Sequence, residues 1–284
     1  MACDDLISSG GTAIPGFDSF SSALDRAGVP VVWLSAGTRF QLDAPRRRLA
    51  HNHPFIAEDG CGVYLPEDYF HLRPEASAGS RSPRNPTVRL GRFTCLPVAE
   101  PQPAAAEALE SLASESGTEI VRLSTLSPRE VAQNCGLPPR EAEQARHRDF
   151  DELFFFAGAS AAEIARFRSL AEERKCQLRE RGSLWSLAIG ASVSRCIREL
   201  STLYDRALHA HARTIAVSMQ DRSAELAKAC DRAIFLVERD TPTAEARGVS
   251  RGRVMEVPIR CADRWEQILG AVLERPPGVE TKYL

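Results

Sequence analysis

The chain has no CxxC pair, no Walker-type phosphate loop, no GxGxxG dinucleotide turn and no GxSxG elbow. These absences remove the usual sequence grounds for a zinc knuckle, a thioredoxin-like redox centre, a P-loop nucleotidase, a dinucleotide-dependent dehydrogenase or a serine hydrolase. Eight cysteines, Cys3, Cys61, Cys95, Cys135, Cys176, Cys196, Cys230 and Cys261, stand singly and read as free thiols. No uninterrupted apolar run approaches the ~18 residues of a membrane span. The amino terminus MACDDLISSGG lacks a basic segment followed by an apolar one. A reducing, cytoplasmic setting without a membrane partner is therefore expected. One-sided charge is lacking too: 36 basic side chains face 38 acidic ones, a net charge of -2, so no overall field draws in nucleic acid.

What is present is ordinary for a globular protein, with 43% apolar and 26% charged residues over 284 positions, enough for two domains with separate cores. Apolar Phe17, Phe20, Ala23 and Leu24 recur at helical spacing before Gly28, and the buried-strand pattern VPVVWLS follows. A second helix pattern, TRFQLDAPRRRLA, contains Pro45, which should interrupt or restart it. HPFIAEDGCGVYLP then reads as strand, glycine turn and strand. This alternation predicts a doubly wound, mostly parallel α/β sheet.

From Leu72 to about Arg89 the chain is rich in Pro, Ser, Gly and Arg and reads as a linker. Beyond it, RFTCLPV, AAAEALESLASES, EIVRLS, a helix capped at Ser127, REAEQARHR, DELFFFAG and SAAEIARFRSLAEERK suggest an inserted α+β unit. After GSLWSLAIG the α/β pattern resumes. The expected division is 1–88 and 185–284 for the core, with 89–184 as a cap.

Four segments in order, VPVVWLSAGTR at 29–39, HPFIAEDGCGVYLPEDYF at 53–70, GLPPREAEQARHRDFDELFF at 136–155 and TIAVSMQDRSAELAKACDRAIFLVER at 214–239, resemble mannosyl-3-phosphoglycerate phosphatases of the haloacid-dehalogenase superfamily. The second is similar to the family's HPFIxENGGxIYxPxxYF and the third to its GLPxxxAxxAxxREYDEPF. The resemblance implies a doubly wound core with an inserted cap over the active site. It also implies Mg²⁺-dependent phosphomonoester hydrolysis through an Asp nucleophile in a DxDGT motif, a Lys in KGxA and carboxylates in GDxxND.

The departures fall on those chemical positions. Asp4 or Asp5 can be laid on the nucleophile, but the acid/base then falls on Leu6 or Ile7. Only Met1, Ala2 and Cys3 precede Asp4, fewer than the roughly five residues of an ordinary strand. The family's Lys-Gly falls on Val193 and Ser194, with Arg195 next, and GDxxND reads Ser218 to Ser223. Asp221 and Glu225, four apart, could form a relocated metal pair, or simply a solvated helix face. Ser35, Thr38 and Arg39 match phosphate-side residues, although Ser and Thr also cap helices routinely. Glu58, Asp59 and Gly60 match the family's Glu-Asn-Gly turn, and an Asp-Gly turn is equally a structural feature. Arg148, Asp149, Asp151 and Glu152 could face a sugar or be solvated.

The reading that follows is a catalytically degenerate relative that retains a pocket for a small phosphorylated sugar or glycerate, or that associates with another protein. The alternative is an active Mg²⁺-dependent phosphatase using Asp4 or Asp5.

Overall fold

The computed structural model describes residues 1–4, 6–8, 12–70, 87–219, 223–238 and 253–274. Its central layer is built from two pieces of sheet. Strands β1 (Trp33–Leu34), β2 (Phe55–Ala57), β3 (Gly62–Leu65), β4 (Val88–Leu90) and β5 (Phe93–Pro97) pair in the order β1-β2-β3-β5-β4, with β1 and β2 parallel. Strands β10 (Ile215–Met219), β11 (Arg232–Val237) and β12 (Val254–Pro258) form a parallel trio. Residues Met1 to Cys3 join the two. Ala2 N–H donates to Val217 C=O at 3.0 Å on one side, and Cys3 N–H donates to Leu34 C=O at 2.9 Å on the other. Three residues therefore suffice to place Asp4 at the carboxyl edge of the sheet's central position.

Period-two alternation explains why the sheet is covered on both faces. Trp33, Phe55, Ile234 and Leu236 enter one core with Phe17, Phe20 and Leu24 of α1 (Phe17–Arg26) and with Trp265 and Ile268 of α9 (Arg264–Leu273). Their neighbours Leu34, Ile56, Phe235 and Val237 enter a second core. There they meet Cys196, Leu200 and Tyr204 of α7 (Val193–Leu208) and Leu226 of α8 (Ser223–Ala229). The doubly wound architecture is thus present.

The second layer begins with α3 (Gln102–Ser116). A four-stranded antiparallel sheet follows, β6-β7-β9-β8, from β6 (Ile120–Arg122), β7 (Glu152–Phe156), β8 (Cys176–Arg181) and β9 (Leu184–Ile189). Helix α3 and α6 (Ala161–Glu173) bury Leu109, Leu112 and Phe167 against Phe154 and Leu187 of this sheet. Short helices α4 (Pro128–Cys135) and α5 (Pro139–Arg146) seat Val131 and Ala142 beside Leu153. Ser127 and Ser160 start α4 and α6 with capping boxes to Glu130 and Glu163.

Several expectations are corrected. Residue 93, expected in the cap, begins a strand that pairs with β3 in the central sheet, and 185–189, expected in the core, lie in a strand that pairs with β7 and β8. The change of sheet thus falls between β5 and β6 and again after β9. Val88 and Arg89, read as linker, form β4, while 71–86 lie outside the described residues. Pro45 does not break α2 (Arg39–Arg48). It removes one N–H, but a capping box between Thr38 and Gln41 fixes the first turn, and Leu49 N–H still closes on Pro45 C=O at 3.0 Å.

Of the three consecutive arginines Arg46 to Arg48, the first is buried. Arg46 stacks over Phe55 at 4.3 Å and donates to His51 Nδ1 at 3.2 Å. Burial first, and then the nearby Arg92 charge, pulls the Arg46 guanidinium down to about 10. His51 donates from Nε2 to Val31 C=O at 2.6 Å, which leaves Nδ1 as the acceptor and fixes a neutral ring. Burial drives its pKa down to about 3. His53 bonds to Tyr69 and Asp25, so His51 and His53 both serve the fold.

Candidate functional site

Three loops leave the carboxyl edge of the central sheet side by side, after Cys3, after β1 and after β2. This is the edge where open α/β sheets place their ligands. Asp4 projects from the first. Its Oδ2 accepts Ala36 N–H at 2.8 Å, and its Oδ1 accepts the Ser35 hydroxyl in a short contact. Ser35 Oγ in turn accepts Gly37 N–H at 2.9 Å. The hydroxyl and amide donors that could hold an anion are therefore gathered around the Asp4 carboxylate. Asp5 lies outside the described residues.

The third loop is the turn Glu58-Asp59-Gly60, and all three residues adopt left-handed backbone, with φ of 51°, 53° and 91°. Glycine accepts this freely, but a Glu there is strained, and strain of this kind collects at functional sites. The turn is tied down by Glu58 N–H to Gly37 C=O at 3.1 Å and Asp59 N–H to Ser35 C=O at 3.0 Å. Gly60 is required for a second reason. A Cβ there would lie 2.5 Å from Val193 N and 2.8 Å from Ser192 C, both backbone atoms at the start of α7. Gly60→Ala is expected to cost about 2 kcal/mol or more and to lower the urea midpoint, since neither the φ nor the contact is open to alanine. A loss within ~0.5 kcal/mol, the range of a neutral surface change, would contradict that geometry.

The cap reaches this edge through its stretch 148–151. Glu58 Oε1 accepts Asp149 N–H at 2.9 Å, and Oε2 accepts Phe150 and Asp151 N–H at 2.9 and 3.0 Å. Arg148 Nη2 donates to Asp151 at 3.0 Å and to Ala36 C=O at 2.9 Å. Burial first, and then the Asp151 carboxylate, push the Glu58 carboxyl above its ordinary value, against the pull of Arg148 and the backbone donors. Burial would lower the Arg148 guanidinium, yet the Asp151 and Glu58 carboxylates hold it above its ordinary value. Arg148, Asp151 and Glu152 are buried, not solvated.

Thr38 does what a capping residue does, accepting Gln41 N–H at 3.2 Å, and its hydroxyl also donates to Gln144 C=O in α5 at 3.0 Å. Arg39 Nε pairs with Asp149 at 2.8 Å, and Tyr64 donates to the same oxygen at 2.7 Å. Both residues bind cap to core. Arg195 lies in the first turn of α7, its N–H held by Ser192 Oγ at 3.1 Å and its Nη1 3.5 Å from Val98 C=O. Glu225 lies 3.8 Å from Arg179, whereas Asp221 falls outside the described residues, so the relocated pair cannot be assembled from them.

At the positions where the resemblance places chemistry, Leu6 is 1% exposed in the apolar core, Val193 2%, and Ser218 is buried with its hydroxyl on Met219 C=O. Among the described residues no three His, Cys, Asp or Glu side chains converge in a way that could hold a metal ion. Mg²⁺ needs hard oxygen ligands; of the described carboxylates at the strand tips, Asp4 accepts from Ser35 and Ala36, Glu58 from the amides of Asp149, Phe150 and Asp151, and Asp59 pairs with Arg181. The described side chains alone do not make up a donor set that fits the ion.

Sequence reasoning passed over Arg179 and Arg181. They extend from β8 to Asp59, Arg181 at 2.5 Å and Arg179 at 4.0 Å. The signal was available in CQLRER, where period two puts Cys176 and Leu178 on the buried face and both arginines on the other.

No protein-family model matches the chain. It is 23% identical over 226 residues to the glucosyl-3-phosphoglycerate/mannosyl-3-phosphoglycerate phosphatase of Methanococcoides burtonii, covering 78% of each chain. It is 26% identical over 132 residues to the mannosyl-3-phosphoglycerate phosphatase of Pyrococcus furiosus, covering 46% of this chain and 49% of that one. A haloacid dehalogenase-like hydrolase from Bacteroides thetaiotaomicron superposes with a TM-score of 0.58 at 10% identity, over 94% of this chain and 96% of that one. The chain thus has the haloacid-dehalogenase-like fold and resembles the mannosyl-3-phosphoglycerate phosphatases. Among the described residues no helix is long and apolar enough to cross a membrane.

Proposed function

We propose that this protein keeps the core–cap cleft of a glycosyl-3-phosphoglycerate phosphatase while its hydrolytic machinery is degenerate, and that it binds a small phosphorylated sugar or glycerate. The observation that carries the reading is Leu6. Two residues beyond Asp4, where the acid/base would stand, an apolar side chain 1% exposed lies in the core. A general acid or base contributes roughly 10²–10⁴ to rate, and each charge-stabilising group roughly 10²–10³. Replacing the acid/base, the phosphate-holding Lys and the metal carboxylates together removes most of the catalytic advantage. The near-neutral net charge suits a small-molecule ligand better than nucleic acid, and a cytoplasmic setting suits the eight free thiols.

The second reading is a Mg²⁺-dependent phosphomonoester hydrolase with Asp4 as nucleophile and Asp221 and Glu225 as metal ligands. The placement of Asp4 beside Ser35 favours it. Retained binding is tested by titrating the purified chain with mannosyl-3-phosphoglycerate and following thermal unfolding. A ligand present at a hundred times its Kd should stabilise the fold by about 2.7 kcal/mol. Unchanged unfolding up to millimolar ligand would sink the ligand-binding role.

A further inference from the structure

The chain enters the cap after β5 and returns to the core after β9, and both crossings are fastened to one turn of the core, residues 58–62. On the way out, Cys61 C=O accepts Val98 and Ala99 N–H at 2.8 and 2.9 Å. On the way back, Gly60 C=O accepts Ser192 N–H at 2.9 Å. Glu100 N–H donates to Ile189 C=O at 2.9 Å and ties the two crossings to each other. A swing of the cap requires the backbone torsions of these linkers to change, and their amides are held in place instead.

The same turn grips the cap a third time, at the strap 148–151. Glu58 accepts three successive strap amides, and Arg39 and Tyr64 of the core hold the Asp149 carboxylate beside them. Phe150 leaves the cap altogether and is buried in the core with Phe55, Tyr64 and Cys95. Gly62 of β3 makes the socket, because a Cβ there would lie 2.8 Å from Phe150 Cε2. Its φ is not in the left-handed region, so glycine is there for space and not for conformation. Lifting the cap would expose an apolar ring and strip partners from three amides and two carboxylates at once. Asp4 is nevertheless exposed with the strap in place, so the sheet edge is reachable without that opening.

We propose that the turn 58–62 is a clamp, with Phe150 as its plug, that keeps the cap docked on the core and prevents it from swinging open while the core is folded. The inference goes beyond the ligand-binding reading and holds whatever occupies the Asp4 edge.

Native-state hydrogen exchange of the full chain across sub-denaturing urea tests it. The amides of Asp149, Phe150 and Asp151 are expected to exchange only by global unfolding, with the same urea slope as the amides of β11. Exchange of the three through an opening of smaller urea slope, or too fast to follow, overturns the proposal, because the strap would then leave the turn while the core stays folded. Phe150→Ala removes the plug, and Gly62→Ala closes the socket from the core side. Each is expected to speed exchange of the three strap amides at least tenfold more than that of β11, with the smaller slope of a local opening. The two changes act on opposite sides of one contact, so either serves if the other folds poorly. Equal acceleration of strap and β11 amides would overturn the assignment of Phe150 as the plug.

Discussion

Replacing Glu58 by alanine is expected to cost about 3–5 kcal/mol of folding stability, the range for removing one partner from a buried charged cluster. The substitution leaves the N–H groups of Asp149, Phe150 and Asp151 without their acceptor and takes one carboxylate from Arg148. Glu58→Gln separates acceptor geometry from bulk. A carboxamide has one oxygen, so its NH₂ must face an N–H that the carboxyl now accepts, and most of the loss should remain. Urea unfolding of the full chain measures both. A loss below ~1 kcal/mol in Glu58→Ala would mean that this side chain does not hold the cap to the core.

Acidification is the second large effect, and it acts through His51. The folded-state pKa lies near 3 and the ordinary value at 6.5, so the folded state resists a proton that the unfolded state accepts. Stability from this group is complete above 6.5 and falls as pH drops through that window, by about 1.4 kcal/mol per unit and up to about 5 kcal/mol in all. His51→Gln removes the titration and should flatten the curve between pH 6.5 and 3, while Glu58 and the other acids contribute alike to both proteins. A slope unchanged by the substitution would show that His51 is protonated in the folded state.

Much of the architecture was legible because both faces of the sheet are covered and each strand alternates between two cores. Trp33 with Leu34 and Phe55 with Ile56 are apolar pairs that only a doubly covered sheet requires. Capping signals located α4, since Ser127, Pro128 and Glu130 satisfy the first turn locally. The cap boundaries were less legible. RFTCLPV looks the same whether it pairs with β3 or with a cap strand, because pairing partners leave no mark in a short apolar run. β8 was missed because CQLRER presents its arginines to Asp59 and not to an apolar core.

For the site, the strand tips carrying Asp4, Ser35 and Glu58 follow from segment order. The burial of Arg148 and Asp151 does not, since charged residues are solvated in most settings and only the Glu58 carboxylate opposite makes theirs a buried cluster. Thr38 and Arg39 illustrate the same limit. Both lie at the expected place, but their partners, Gln144 and Asp149, come from more than a hundred residues away.

The central claim is that the hydrolytic machinery is degenerate, and phosphate release from mannosyl-3-phosphoglycerate and a panel of sugar phosphates, with and without Mg²⁺, tests it most directly. Wild type and Asp4→Asn, both folded by thermal unfolding, are expected to release phosphate no faster than buffer under either condition. Mg²⁺-dependent turnover by wild type that Asp4→Asn abolishes would contradict the account and establish Asp4 as a working nucleophile.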